Sequence, residues 1–182
     1  MDWAGKIVER ANPEHLKLGM YMKKYIFEPL GMASMTFSLL SPEDVRSRVA
    51  TIALRMKEGK KVSSLPGIWP ENPPDDCGGV GLYGSAEDFM TLLETLLQKK
   101  EGVLRHESIE ELFRPLSTPS DYFEQYLSET NLPASLGIPP HMPCQWSLGG
   151  LVSMNSIEGQ REAGSIGWAG LPNVKWVSYY SF

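Results

Sequence analysis

At 182 residues, with 42% hydrophobic and 21% charged side chains, the chain has the composition of one globular domain rather than of a disordered segment. Its formal charge is -5 and its longest basic runs are pairs such as Lys23-Lys24 and Lys60-Lys61, which argues against nucleic acid as a partner. No apolar run approaches the roughly 20 residues of a bilayer span, so no membrane partner is expected. Two cysteines, Cys77 and Cys144, are too few for a disulfide framework, and free thiols suit a reducing, cytoplasmic setting.

In chain order, residues 2–10 predict a short helix ended by Asn12-Pro13, because a residue before proline is pushed out of helical geometry. Residues 14–28 predict a second helix closing at Pro29-Leu30-Gly31, with Gly31 as a left-handed cap. Ser41-Pro42-Glu43-Asp44 reads as a helix start, for a helix over 43–56. Four prolines and Gly67 predict an irregular stretch over 57–78, with Ile68-Trp69 packing down onto something. Ser85 caps a helix over 86–99, with Asp88 placed for a capping box. Ser108 starts another short helix, and 117–143, rich in Pro and Ser, reads as irregular. Three strands then follow, over 145–153, 161–167 and 174–180, with connections short enough for an antiparallel meander. The expected fold class is α+β, with helices over about 1–143 and antiparallel strands over about 144–182. Helix-like residues at the very start and strand-like Tyr179-Tyr180-Ser181-Phe182 at the end make a truncated domain the expectation.

A search for chemistry finds no complete catalytic centre. A Ser-x-x-Lys pair would place a nucleophilic hydroxyl and a basic amine one helical turn apart, and no serine in the chain has lysine three places on. Gly-x-Ser-x-Gly is absent, and His15, His106 and His141 lack metal-ligand spacing, so neither a metal nor a cofactor is implied. Gly79-Val80-Gly81-Leu82-Tyr83-Gly84 matches the letters of a dinucleotide loop. Its feeder, Pro73-Pro74-Asp75-Asp76, cannot be the central strand such a loop needs, and two carboxylates would repel a pyrophosphate. It is read as a glycine turn through which a loop enters a helix.

Three ordered segments carry a resemblance. They are Ile26-Phe27-Glu28-Pro29-Leu30-Gly31-Met32 with Thr36-Phe37, then Gly78 to Phe89, then Trp146-Ser147-Leu148-Gly149-Gly150 with Gly164-Ser165-Ile166-Gly167-Trp168-Ala169-Gly170. Together they resemble the class C β-lactamase-like serine hydrolases, which include esterases and fungal acyltransferases (transesterases) of polyketide pathways. The resemblance implies a truncated β-lactamase/transpeptidase-like fold and a single partial domain over 1–182. It implies a small-molecule acyl ester or amide substrate once the fold is completed. Of the family's three catalytic boxes only the third has a counterpart here, Trp168-Ala169-Gly170, so no residue is assigned a catalytic role. By the same resemblance, Trp168, Ala169 and Gly170 line the acyl pocket and the Leu171 N–H donates to the oxyanion, while Trp69 stands near the pocket mouth. The expected function is a fragment of a serine-dependent hydrolase or acyltransferase, inactive alone. The alternative is a non-catalytic interaction module that associates with itself or a partner through an open sheet edge.

Overall fold

Asp2–Ala11 forms helix α1, with an acid in its first turn and Asn12, extended at ψ 133, before Pro13 at its end. Asn12 is only 7% exposed. Its amide donates to the Val8, Glu9 and Leu16 carbonyls, and its oxygen accepts the Leu16 N–H at 2.8 Å, so the helix end keeps few bare carbonyls. A second helical run has three parts: α2 (Leu18–Met22), a π-helical turn (Lys23–Phe27) and α3 (Glu28–Leu30). Pro29 accounts for the widened turn. It has no N–H to give and its ring crowds the Tyr25 carbonyl, and just before it the Glu28 N–H reaches back five residues to Lys23. Gly31 closes the run at φ 69, ψ 22, the left-handed cap expected from sequence.

The structure is a computed structural model that describes residues 1–40, 43–55, 62–65, 67–100, 102–116, 121–130, 132–140, 142–170 and 174–178. The chain divides into two compact units, Met1–Leu92 and Leu93–Phe182. Within the first, the helix expected over 43–56 is a single short turn, α4 (Glu43–Ser47), followed by strand β1 (Ile52–Arg55). Thr51 and Ile52 are β-branched and favour the extended chain. The Ser41-Pro42 start lies outside the described residues. β1 pairs antiparallel with β2 (Val62–Leu65), Ile52 opposite Leu65. The stretch 57–78 is therefore not wholly irregular: its first proline, Pro66, comes only after β2 has ended. Leu18, Phe27, Met32, Phe37, Leu39 and Val45 are this unit's buried apolar residues, each contributing about 1.5–3 kcal/mol by burial.

Helix α5 (Ala86–Leu97) has the expected start, with the Ser85 hydroxyl accepting the Asp88 N–H at 3.0 Å. The capping box is only half made, because the Asp88 carboxylate is turned to the Ser34 N–H, 2.6 Å away. Helix α6 (His106–Phe113) begins two residues before Ser108. Two helices, α7 (Asp121–Glu129) and α8 (Leu132–Ser135), occupy the stretch read as irregular. Phe123 and Leu127, four apart, give α7 an apolar face, and Leu127 is 6% exposed.

The second unit ends in four strands, β3 (Cys144–Trp146), β4 (Leu151–Ser153), β5 (Ile166–Gly170) and β6 (Val174–Ser178), in sheet order β3-β4-β5-β6. All neighbours are antiparallel, as expected of a meander. The single strand expected over 145–153 is two, bent back at Ser147–Gly150. The strand expected over 161–167 starts at Ile166, after a turn in which Gly164 takes φ 83. The expected third strand is described as far as Ser178; Tyr179 and Tyr180 lie outside the described residues. Adjacent residues of β4 serve opposite faces. Leu151 joins Leu127, Leu136, Ile138, Cys144 and Ile157, whereas Val152 joins Ile109, Phe113 and Ile166. Among the described residues no helix is long and apolar enough to cross a membrane.

Candidate functional site

The third-box residues sit on β5, whose burial changes along its length. Ile166 and Gly167 are buried, Trp168 is 44% exposed, and Ala169 is half-buried. Gly167 shows why small residues flank this tryptophan. A Cβ there would stand 2.7 Å from the Trp176 carbonyl and 3.2 Å from the Leu136 side chain, so only glycine lets that residue seat against the sheet. Ala169 packs against the cluster of Leu127, Leu136 and Cys144. At Gly170 an added Cβ would meet nothing within 4 Å, so this position looks onto open space. Leu171 lies outside the described residues.

Trp168 does not stand alone. Across the ladder it faces Trp176 on β6. Its ring centroid lies 5.2 Å from that of Trp146 on β3, with the two planes tilted by 48°. Trp146 in turn meets the edge of Phe123 from α7, at 6.4 Å and 63°. Phe123 fell in the stretch read as irregular; the four-residue spacing to Leu127 was the signal available for it.

The turn between β3 and β4 brings Trp146 to this corner. The buried Ser147 hydroxyl accepts the Gly149 and Gly150 N–H groups at 3.2 and 3.1 Å, and the Ser147 N–H donates to the Gly150 carbonyl at 2.8 Å. Gly149 also donates to the Leu112 carbonyl at 2.9 Å, which fixes the turn against α6.

Trp69 belongs to the first unit. Its indole lies over Gly81, which takes φ 86 and leaves no room there for a Cβ, and its carbonyl accepts the Tyr83 hydroxyl at 3.2 Å. So Trp69 does pack down, onto the glycine segment 79–84, whereas Ile68 stays 47% exposed. Trp168 lies in the second unit, and each tryptophan is described within its own.

Two further features lie in the second unit. A cavity of about 340 Å³ is lined by Glu110, Phe113, Arg114, Val152, Ser153 and Met154, among others. The Ser153 hydroxyl donates to the Asn155 carbonyl at 2.8 Å, and Lys99 and His106 hold Glu110 below the usual carboxylate range. Cys144 is 2% exposed and burial pushes its thiol up to about 11, an inert state, although the Arg161 charge opposes the rise.

The beta-lactamase family model matches residues 1–180. The chain belongs to the beta-lactamase family. Among members of the family it is 28% identical over its whole length to the acyltransferase mokF of Monascus pilosus, of which it covers 45%. It is 29% identical, over 97% of its length, to the ML-236A carboxylate methylbutanoyltransferase mlcH of Penicillium citrinum, of which it covers 43%. Lovastatin esterase of Penicillium rubens is 26% identical over 185 residues. The structure superposes on a mutant of simvastatin synthase (LovD) from Aspergillus terreus with a TM-score of 0.89 and 28% identity, over 98% of this chain and 46% of that one. The chain thus spans under half the length of the relatives it matches, and its mixed helical and antiparallel architecture is that of the β-lactamase-like fold.

Proposed function

We propose that these residues form one wall of a serine-dependent acyl-transfer site and transfer no acyl group by themselves. The observation that carries this reading is Trp168, half exposed on β5 beside the open position at Gly170, in a sequence without Ser-x-x-Lys. Acyl transfer through serine needs a hydroxyl and a base in contact, and a pocket wall supplies neither. In this reading residues 1–182 form part of a single family domain, Trp168 and Ala169 contact the acyl group, and Gly170 leaves room for the backbone to approach it. Leu171 gives its N–H to the oxyanion. The substrate is a small acyl ester or amide, and relatives named for methylbutanoyl transfer and for a lovastatin esterase support that class. The two unbridged cysteines support a cytoplasmic location. Purified protein mixed with p-nitrophenyl butyrate should show no burst of nitrophenol. A burst abolished by a serine-directed phosphonate would overturn the proposal.

A second reading rests on β6. It is an edge of the sheet among the described residues, and Val174 on it is 62% exposed, so a further strand from a partner or a second copy could pair there. Size-exclusion chromatography should then show association that rises with concentration. A folded monomer at every concentration would count against it.

A further inference from the structure

Helix α1 is mounted with its large apolar side chains outward. A helix lying on a core normally turns such residues inward and its charges to water. Here the buried residue is Gly5, where a Cβ would stand 2.8 Å from the Leu18 side chain, and the half-buried Lys6 is neutralised by Glu9 and Asp75. Trp3 and Ile7 are 82% and 66% exposed, and Ala4, Arg10 and Ala11 are exposed with them. Trp3, Ile7 and Arg10 follow one another at i, i+4 and i+7, so they form one row along the helix, flanked by Ala4 and Ala11. The Arg10 guanidinium has no ion pair or hydrogen bond among the described residues.

This row is complementary to itself. Two copies of α1 laid antiparallel about a two-fold axis near Ile7 place Trp3 of each against Arg10 of the other, since both lie on the same flank at similar distances from the axis. Each guanidinium then covers an indole face, and the alanine flank lets the two backbones approach. Antiparallel pairing also sets the two helix dipoles head to tail. One face of a ten-residue helix is a small contact, which implies a weak dimer, with a dissociation constant of roughly 10–100 µM.

We infer that α1 is a homodimer contact, on which a second copy of the chain docks antiparallel through its own Trp3, Ile7 and Arg10. The contact involves the first unit alone and depends neither on the acyl-transfer reading nor on β6. Sedimentation velocity over a concentration series of the chain should show a monomer passing into a dimer within that range. Trp3→Ala and Ile7→Arg should each weaken the dimer roughly tenfold or more, and Arg10→Glu roughly threefold or more. Trp3→Tyr keeps an aromatic face and should cost less than about threefold. All three positions are exposed, so each variant should keep the far-UV circular dichroism of the wild type. In a Cys77→Ser background, where the remaining Cys144 is buried, Ile7→Cys sets a thiol beside the axis and should give a disulfide-linked dimer on mild oxidation. A monomer at every concentration would overturn the inference and leave the row to a different polypeptide. So would a dimer indifferent to Trp3→Ala and Arg10→Glu, and its loss with Val174→Lys would assign association to the β6 edge instead. Absence of the Ile7→Cys cross-link from an intact dimer would overturn the antiparallel arrangement, and the inference with it.

Discussion

At Ser147 the hydroxyl accepts two N–H groups, from Gly149 and Gly150, and donates to the Gly150 carbonyl at 3.1 Å. Gly149 keeps the Leu112 carbonyl as a second acceptor, but Gly150, which is buried, does not have that alternative in the same hydroxyl's absence. Ser147→Ala should therefore destabilise the protein by about 1–2 kcal/mol, read as a lower urea midpoint with an unchanged slope. An unchanged midpoint would mean that the glycines alone make the turn. A different residue-scale constraint acts at Gly81, where φ is 86 and the Trp69 indole occupies the space of a Cβ. Gly81→Ala adds about 1–2 kcal/mol for the left-handed backbone and a clash besides. Trp69 should leave its seat, with a red-shifted emission in the folded protein. Emission identical to wild type would sink that account.

Among the elements, those set by neighbours in sequence were legible. Helix α1 ends where Asn12 meets Pro13, Gly31 caps its run, and Ser85 starts α5, since each signal acts within a few residues. The meander was legible too, from alternation and short connections. Helix α7 and the β1–β2 pair were not. α7 lies between Pro- and Ser-rich flanks, and its apolar face of Phe123 and Leu127 gains meaning only against Trp146 and Leu136, which are distant in sequence. β2 is held by its pairing with β1 rather than by its own composition. The site was half legible for the same reason. Trp168 stood out because its neighbours are small, and the Leu136 side chain and Trp176 carbonyl over Gly167 explain why. Trp146 was visible as a strand residue, but its contact with Trp168 depends on strand register. If α7 is docked as described, Leu127→Ala should cost about 2–5 kcal/mol, as buried leucines do. Tyr126→Ala, at a position 49% exposed, should cost less than about 0.5 kcal/mol. Equal small effects would show α7 undocked.

For the molecule as a whole, charge distribution links stability to pH. Lys6 on α1 pairs with Glu9 at 2.8 Å and with Asp75 of the proline-rich stretch, and Glu9 also accepts the Leu18 N–H at 2.9 Å. The ammonium beside them lowers both carboxylates below their usual range, and the carboxylates raise Lys6. Depressed acids stabilise the fold above their unfolded pKa, and that contribution disappears as pH falls through the folded value. The raised lysine stabilises it below its unfolded pKa, and its contribution is lost as pH rises through the folded value. The network thus stabilises the protein across neutral pH and fails at both extremes. Lys6→Met keeps most of the apolar stem and removes the charge. Its urea midpoint should lie below that of the wild type near neutral pH, with the gap closing in acid as Glu9 and Asp75 protonate. A gap of constant size from neutral to acid pH would assign the loss to packing of the side-chain stem instead, because hydrophobic contacts do not titrate.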